Sequence, residues 1–174
     1  MSIPVDLSTL IGQGAGASLT ISGATPKNCS LMQFRLGDID FSATQAINYE
    51  LTFTHGGECV QASGQAFPHL ATKCVRCLCD FTFATDIDLE ESYFFAPCSD
   101  EHGDPYPTIP DDQVIDIEPL LYQSLLVNAP FAPVHDPDCQ GLCALCGADL
   151  NQSECDCVDA PDSHHPFAIL KDLV

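Results

Sequence analysis

Two Cys-x-x-Cys pairs, Cys74–Cys77 and Cys143–Cys146, lie in distant parts of the chain, and Cys139, Cys155 and Cys157 crowd around the second. A structural zinc ion takes four thiolate or imidazole ligands in a tetrahedron, usually presented as close pairs. A gap of two residues lets the backbone turn so that both side chains converge on one ion. Downstream, Cys143 and Cys146 with Cys155 and Cys157 form a self-sufficient set, and Gly147 permits the tight turn after the pair. The upstream pair needs partners, and His135 and Cys139 sit four apart just before the downstream cluster. The spacing therefore predicts two structural Zn2+ sites: Cys74, Cys77, His135 and Cys139 for one, Cys143, Cys146, Cys155 and Cys157 for the other. A one-ion version uses Cys139, Cys143, Cys146 and either Cys155 or Cys157, leaving the upstream pair free. Cys79 could replace a member of the upstream pair but ranks behind Cys74 and Cys77.

Other chemistries fit less well. Cys74-Val75-Arg76-Cys77 has the spacing of a redox pair, whose thiol pKa a neighbouring cation lowers. The parallel βαβ context of such pairs is absent, however. His164 and His165 offer further nitrogens, yet Asp162-Ser163-His164-His165-Pro166 reads equally as a helix start. Asp111, Asp112 and Asp116 lack the alternating spacing and terminal Glu of a calcium loop. A hydrolytic zinc needs an open position, which all-thiolate coordination closes. No nucleophile elbow, HExxH or dinucleotide fingerprint is present. The expectation is a protein that is not an enzyme. Cys29, Cys59 and Cys98 stand alone and read as small apolar residues.

The N-terminus has neither the basic nor the apolar region of a secretory signal, and no apolar run is long enough to span a bilayer. A cytoplasmic location without membrane association is therefore expected, where clustered thiols stay reduced and bind metal. With 174 residues, 45% of them hydrophobic, the chain can bury a real core. Its 25 acidic residues against five basic ones give a formal charge of −20. Gripping nucleic acid takes clustered Lys and Arg. Here there are only Lys27, Arg35, Lys73, Arg76 and Lys171, so direct RNA binding should be weak or absent. Lys73 and Arg76, beside the upstream pair, are the one candidate phosphate contact; the competing reading has Arg76 packed on the sheet or paired with an acid. An acidic field favours basic partners, or serves solubility alone.

These residues need elements to position them. Residues 1–28 read as a flexible N-terminal segment with a linker at Gly12–Ala17, and 29–174 as a single domain carrying a zinc-binding extension over 135–158. Alternation predicts strands over 47–54 and 59–67 around a His55-Gly56-Gly57 turn. A third strand through Leu70–Lys73 turns at the Cys74–Cys77 knuckle and leaves along Phe81, Phe83, Ile87 and Leu89. The pattern is that of an antiparallel sheet with one buried face. Residues 98–113 read as a solvated acidic loop. A helix follows, with Asp116 as N-cap, Pro119 in its first turn, an apolar face of Ile117, Leu120, Leu121, Leu125 and Leu126, and an end at Pro130. A short helix is expected over 166–173. The fold class is α+β: mostly antiparallel sheet, one main helix and a zinc-knuckle C-terminal region.

An ordered set of segments resembles a known family. Cys74-Val75-Arg76-Cys77-Leu78, Ile115–Leu121, Ala129–Val134, Asp138–Gly147 and Pro166–Leu170 follow one another as in the bacterial YceD family of large ribosomal RNA subunit accumulation proteins. The resemblance spans roughly residues 45–174. It implies a role in 23S rRNA accumulation or processing during large-subunit assembly, and in the family the gene often neighbours that of a small basic large-subunit protein. Members lacking most downstream cysteines imply that the second zinc is an accessory brace, and His135 stands where others carry Cys. An acidic factor of this kind would hold a basic ribosomal protein or an assembly intermediate of the large subunit, not RNA itself. The alternatives are a zinc-dependent or thiol-redox enzyme and an acidic chaperone-like module for another basic client.

Overall fold

A computed structural model of the protein describes residues 2–27, 29–97, 99 and 105–157. Ten strands, β1 to β10, and two helices make up the described fold. In chain order they are β1 (Pro4–Asp6), α1 (Ser8–Gln13), β2 (Ser18–Ala24), β3 (Gln33–Leu36), β4 (Ile39–Ala43), β5 (Asn48–His55), β6 (Cys59–Phe67), β7 (His69–Lys73), β8 (Asp80–Ala84), β9 (Ile87–Phe94), β10 (Val114–Asp116) and α2 (Glu118–Asn128).

All the strand pairings are antiparallel, but they form two four-stranded sheets and not one. The first has the order β2-β5-β6-β9 and the second β3-β4-β7-β8, while β1 and β10 pair separately. The division falls at Pro68, between β6 and β7. A proline has no N–H for the ladder, so the chain bends there and passes from one sheet into the other. Thr85 N–H closes the return side on the Pro68 carbonyl at 3.2 Å. The expected run from Phe81 to Leu89 is accordingly two strands, β8 in the second sheet and β9 in the first. One long bent hairpin results, with the Cys74–Cys77 knuckle at its tip.

Period-two alternation builds the core. Tyr49, Leu51 and Phe53 of β5, Val60, Ala62 and Ala66 of β6, and Ile87, Leu89 and Tyr93 of β9 are all buried. The small residues of β6 make room for their large neighbours. Gly64 lies in register with Leu51 on one side and Leu89 on the other; a Cβ there would run into the Glu50 carbonyl oxygen. Helix α2 covers β9 with Leu120, Leu121 and Leu125. Its start lies one residue beyond the expected cap: Ile117 flanks the helix, and Asp116 Oδ1 accepts from the N–H of Glu118 at 3.0 Å and of Ile3 at 2.8 Å.

Residues 1–28, read above as a flexible segment, are corrected by this arrangement. Ile3, Val5, Leu7 and Leu10 are buried in the main core, β1 pairs with β10, and β2 pairs with β5 over seven residues. The glycines taken for a linker form the turn out of α1: Gly14 and Gly16 have φ of 84° and 92°, and Gly16 N–H bonds the His55 carbonyl at 2.8 Å. Glycine adopts that left-handed backbone without a Cβ clash. Part of the acidic loop also returns to the sheet, with Phe94 N–H on the Pro107 carbonyl and Ile109 N–H on that of Phe94. The helix expected over 166–173 lies outside the described residues. Among those described, no helix is long and apolar enough to cross a membrane.

Candidate metal centres

The two knuckles have the same local geometry. In the first, Cys74 N–H bonds the Cys79 carbonyl and Leu78 N–H bonds that of Cys74; in the second, Cys143 N–H bonds Ala148 and Gly147 N–H bonds Cys143. The residue after each pair is left-handed, Leu78 with φ 62° and Gly147 with φ 73°. Gly147 suits that backbone, as its position in the sequence suggested. Leu78 adopts it against the steric preference of a side-chain-bearing residue, and does so 58% exposed.

The segment after α2 then folds back onto the hairpin tip. Val75 N–H bonds the Pro133 carbonyl at 2.9 Å and Leu142 N–H bonds the Arg76 carbonyl at 3.1 Å. The Arg76 guanidinium donates through Nη1 to the carbonyls of Pro137 and Cys139 at 3.1 and 3.0 Å. Gly141 fits closely here, its absent Cβ only 3.1 Å from the Arg76 carbonyl oxygen. These contacts bring His135 and Cys139 to Cys74 and Cys77.

All eight residues named from the sequence are thus gathered into two groups of four: Cys74, Cys77, His135 and Cys139, and Cys143, Cys146, Cys155 and Cys157. Within each group the donor atoms lie within 4.8 Å of one another. The one-ion set, which would leave Cys74 and Cys77 free, is not the grouping formed. Two sulfurs bound at about 2.3 Å to a tetrahedral ion are about 3.8 Å apart, and Cys74 Sγ and Cys139 Sγ are 3.8 Å apart. Cys77 Sγ lies 3.4 Å from His135 Nδ1. Three thiols and an imidazole in one group, and four thiols in the other, are donor sets suited to a thiophilic dication. Both groups could hold a metal ion.

Electrostatics makes the same demand. Burial acts to raise the Cys74 thiol, yet its bonds to the His135 side chain and nearby backbone N–H groups bring it down to about 5. Burial and neighbouring thiols raise Cys139. The Cys79 N–H pulls Cys77 down, but burial and the adjacent Cys79 and Cys74 thiols outweigh it, so Cys77 is also raised. In the second group the N–H groups of Cys146 and Leu145 lower Cys143 to about 6. Cys155 moves upward, where the neighbouring Cys143 and burial overcome the Cys157 N–H. Contact with Cys146, then burial, pushes Cys157 to about 12. Each cluster therefore favours one thiolate and resists the next, a conflict that a bound cation removes.

Residues not singled out as participants complete the first centre. Asn151 directs Nδ2 at Cys139 Sγ at 3.6 Å, and its Oδ1 accepts from Gln140 N–H at 2.8 Å. Phe81 stands edge-on to His135, its ring centre 6.5 Å away. Cys79, weighed above as a substitute ligand, has its Sγ 3.2 Å from Cys77 Sγ but stays outside the group of four. Nothing in the local sequence marks Asn151, because its role depends on the loop returning from Asp149. The two cations beside the knuckle are engaged: Lys73 Nζ pairs with Asp80 at 2.8 Å, and Arg76 braces the extension. Cys29 is buried in the main core and Cys59 is half-buried; Cys98, His164 and His165 lie outside the described residues.

A family model described as "Large ribosomal RNA subunit accumulation protein YceD" matches residues 63–174. Among curated proteins, "Uncharacterized protein ML1660" of Mycobacterium leprae is 26% identical over 144 residues, covering 82% of this chain and 65% of its own. "Uncharacterized protein Mb2951c" of Mycobacterium bovis and "Uncharacterized protein Rv2926c" of Mycobacterium tuberculosis are each 26% identical over 106 residues, covering 60% of this chain and 51% of theirs. The chain spans less than two thirds of the length of these relatives. No solved structure is significantly similar.

Proposed function

Because the chain belongs to the YceD family of large ribosomal RNA subunit accumulation proteins, we propose that it is a non-enzymatic factor supporting 23S rRNA accumulation and large-subunit assembly, with structural zinc in both clusters. The observation that carries the reading is the family match over 63–174, which includes both knuckles and every candidate ligand. Zinc is the ion of choice for closed tetrahedral sets of thiolates and imidazole. Cys74, Cys77, His135 and Cys139 would fasten the extension to the hairpin tip; Cys143, Cys146, Cys155 and Cys157 would brace the extension itself. Neither set includes the carboxylate base or open position of a hydrolytic zinc.

The partner follows from charge. With a formal charge of −20 and with Arg35, Lys73 and Arg76 engaged by Asp40, Asp80 and backbone carbonyls, the protein is suited to hold a basic ribosomal protein or an assembly intermediate of the large subunit, not a bare phosphate backbone. Such a role belongs in the cytoplasm. Depletion in the native host, followed by measuring the ratio of 23S to 16S rRNA and mapping precursor ends, tests the proposal. A selective fall in 23S supports it; an unchanged ratio with depletion verified rejects it.

A further inference from the structure

The two metal clusters differ in burial, connectivity and charge. In the first, the three thiols are covered, with Cys74 0%, Cys77 8% and Cys139 5% exposed and Cys79, Phe81, Val134 and Leu142 packed around them, and only His135 is exposed. Its ligands come from two distant parts of the chain, tied together by Arg76 and by the Val75–Pro133 and Leu142–Arg76 bonds. In the second, all four ligands come from one short segment, Cys146 and Cys157 are exposed, and Cys143 and Cys155 are half-buried. Among the described residues no buried apolar side chain covers it, and Leu145 at its tip is 62% exposed.

Charge sharpens the contrast. A dication with three thiolates and a neutral imidazole leaves one negative charge in the first centre, with the Arg76 guanidinium bonded to the carbonyl of its own ligand Cys139. A dication with four thiolates leaves two negative charges in the second. That segment, residues 140–157, adds Glu154 and Asp156 beside Cys155 and Cys157 and contains no Lys or Arg, while its Asp149 faces His135 of the first centre. Like charges at close range destabilise the anionic complex, and exposed sulfurs let a competing ligand reach the ion.

We propose that the Cys143–Cys146–Cys155–Cys157 centre is an exchangeable metal site, which passes a thiophilic dication to and from competing thiol ligands while the first centre retains its ion as part of the fold. The inference rests on the metal-binding reading of both clusters. In each step one metal–sulfur bond forms to an incoming thiolate and one breaks to a protein cysteine. The metal remains a dication and no electron moves; the displaced cysteine thiolate takes up the proton that the incoming thiol gave up. Cys157 and Cys146, the exposed ligands, leave first. The acceptor is therefore a soft, thiol-rich ligand, small molecule or protein.

Stopped-flow release of zinc from the fully loaded protein into excess dithiol, followed with a colorimetric zinc indicator, tests the inference. Two phases of one equivalent each are expected, the fast one about 10–100-fold faster, taking the 10–100-fold by which supporting contacts change metal affinity to appear in the release rate. Cys157→Ser and Cys146→Ser should each remove the fast phase, leaving one retained ion and the near-ultraviolet dichroism of the main fold. A single phase for both ions, or a fast phase that survives in both variants, overturns the inference while leaving two metal centres in place. A purified, reduced protein that takes up no zinc overturns the metal reading itself.

Discussion

Loading the clusters with zinc should expel protons, and the thiol energetics set how many. At neutral pH Cys74, brought down to about 5, is already a thiolate in the metal-free first cluster. Cys77 and Cys139, both raised above the ordinary thiol range, still hold protons. An ion that takes all three as thiolates therefore displaces two protons. Affinity should rise by about 100-fold for each pH unit between pH 7 and 8, or about 2.7 kcal/mol. The sign follows from linkage: the metal-free form binds more protons, so acid favours it, and metal-derived stability is lost as pH falls. Below about pH 5, Cys74 gains its proton as well and the dependence steepens to three protons. In the second cluster the raised Cys155 and Cys157 require at least two protons to leave, with steepening below about pH 6 as Cys143 titrates. Isothermal titration of reduced, metal-free protein in two buffers of different ionisation enthalpy reads the number directly. Release of fewer than one proton per ion, or affinity indifferent to pH, would refute the reasoning.

Two substitutions at the knuckle test other parts of the account. Arg76→Ala removes two charge-assisted bonds to the Pro137 and Cys139 carbonyls, one exposed and one half-buried. It should cost about 1–3 kcal/mol in denaturant unfolding of the loaded protein. Arg76→Lys should recover only part of this, since an ammonium lacks the planar fork; an unchanged midpoint for Arg76→Ala would show that the brace is not needed. Leu78→Gly places glycine at a left-handed position, as Gly147 already does in the second knuckle. Relief of about 1–2 kcal/mol of backbone strain outweighs the added freedom of the unfolded chain, so the melting temperature should hold or rise; a clear fall would mean that the exposed Leu78 side chain contributes to packing.

Much of the architecture was readable because its signals are local. The alternation in 47–54 and 59–67 matches β5 and β6 within a residue, and the apolar face with Pro119 and Pro130 bounds α2. The grouping of the Cys and His side chains was readable only in part: Cys-x-x-Cys dictates a turn, but spacing left a one-ion set open, and the extension folding back on the hairpin tip decides against it. What escaped depends on distant partners. Glycines at 14 and 16 look the same in a linker and in a turn, and only pairing of β2 with β5 decides between them. Pro68 reads as a strand break in isolation; that the chain continues through it into a second sheet depends on β4 and β8 waiting on the other side. Arg76 resembles a phosphate ligand until the segment at 137–139 folds against it. Asn151 carries no motif at all.

The same distinction between local and distant partners explains why two similar knuckles would serve different ends. A metal ion, like a disulfide, stabilises by closing a loop that the unfolded chain would otherwise leave open, and longer loops gain more. In the first centre Cys74 and Cys139 are 65 residues apart, for which the chain-entropy relation gives about 4 kcal/mol; the second closes a loop of a dozen residues, for about 3. The larger difference lies in what each loop joins. Opening the first centre would separate the extension from the tip of the β7–β8 hairpin and expose Cys74, Cys77 and Cys139 together, so an ion held there would be coupled to the body of the fold. Opening the second would release the segment 143–157 and with it Asn151, whose bonds reach Cys139 and Gln140, while the bond from Leu142 to Arg76 lies outside that loop and stays. An ion held in the second centre could therefore leave at the cost of that one segment, while an ion in the first would keep the extension on the hairpin tip.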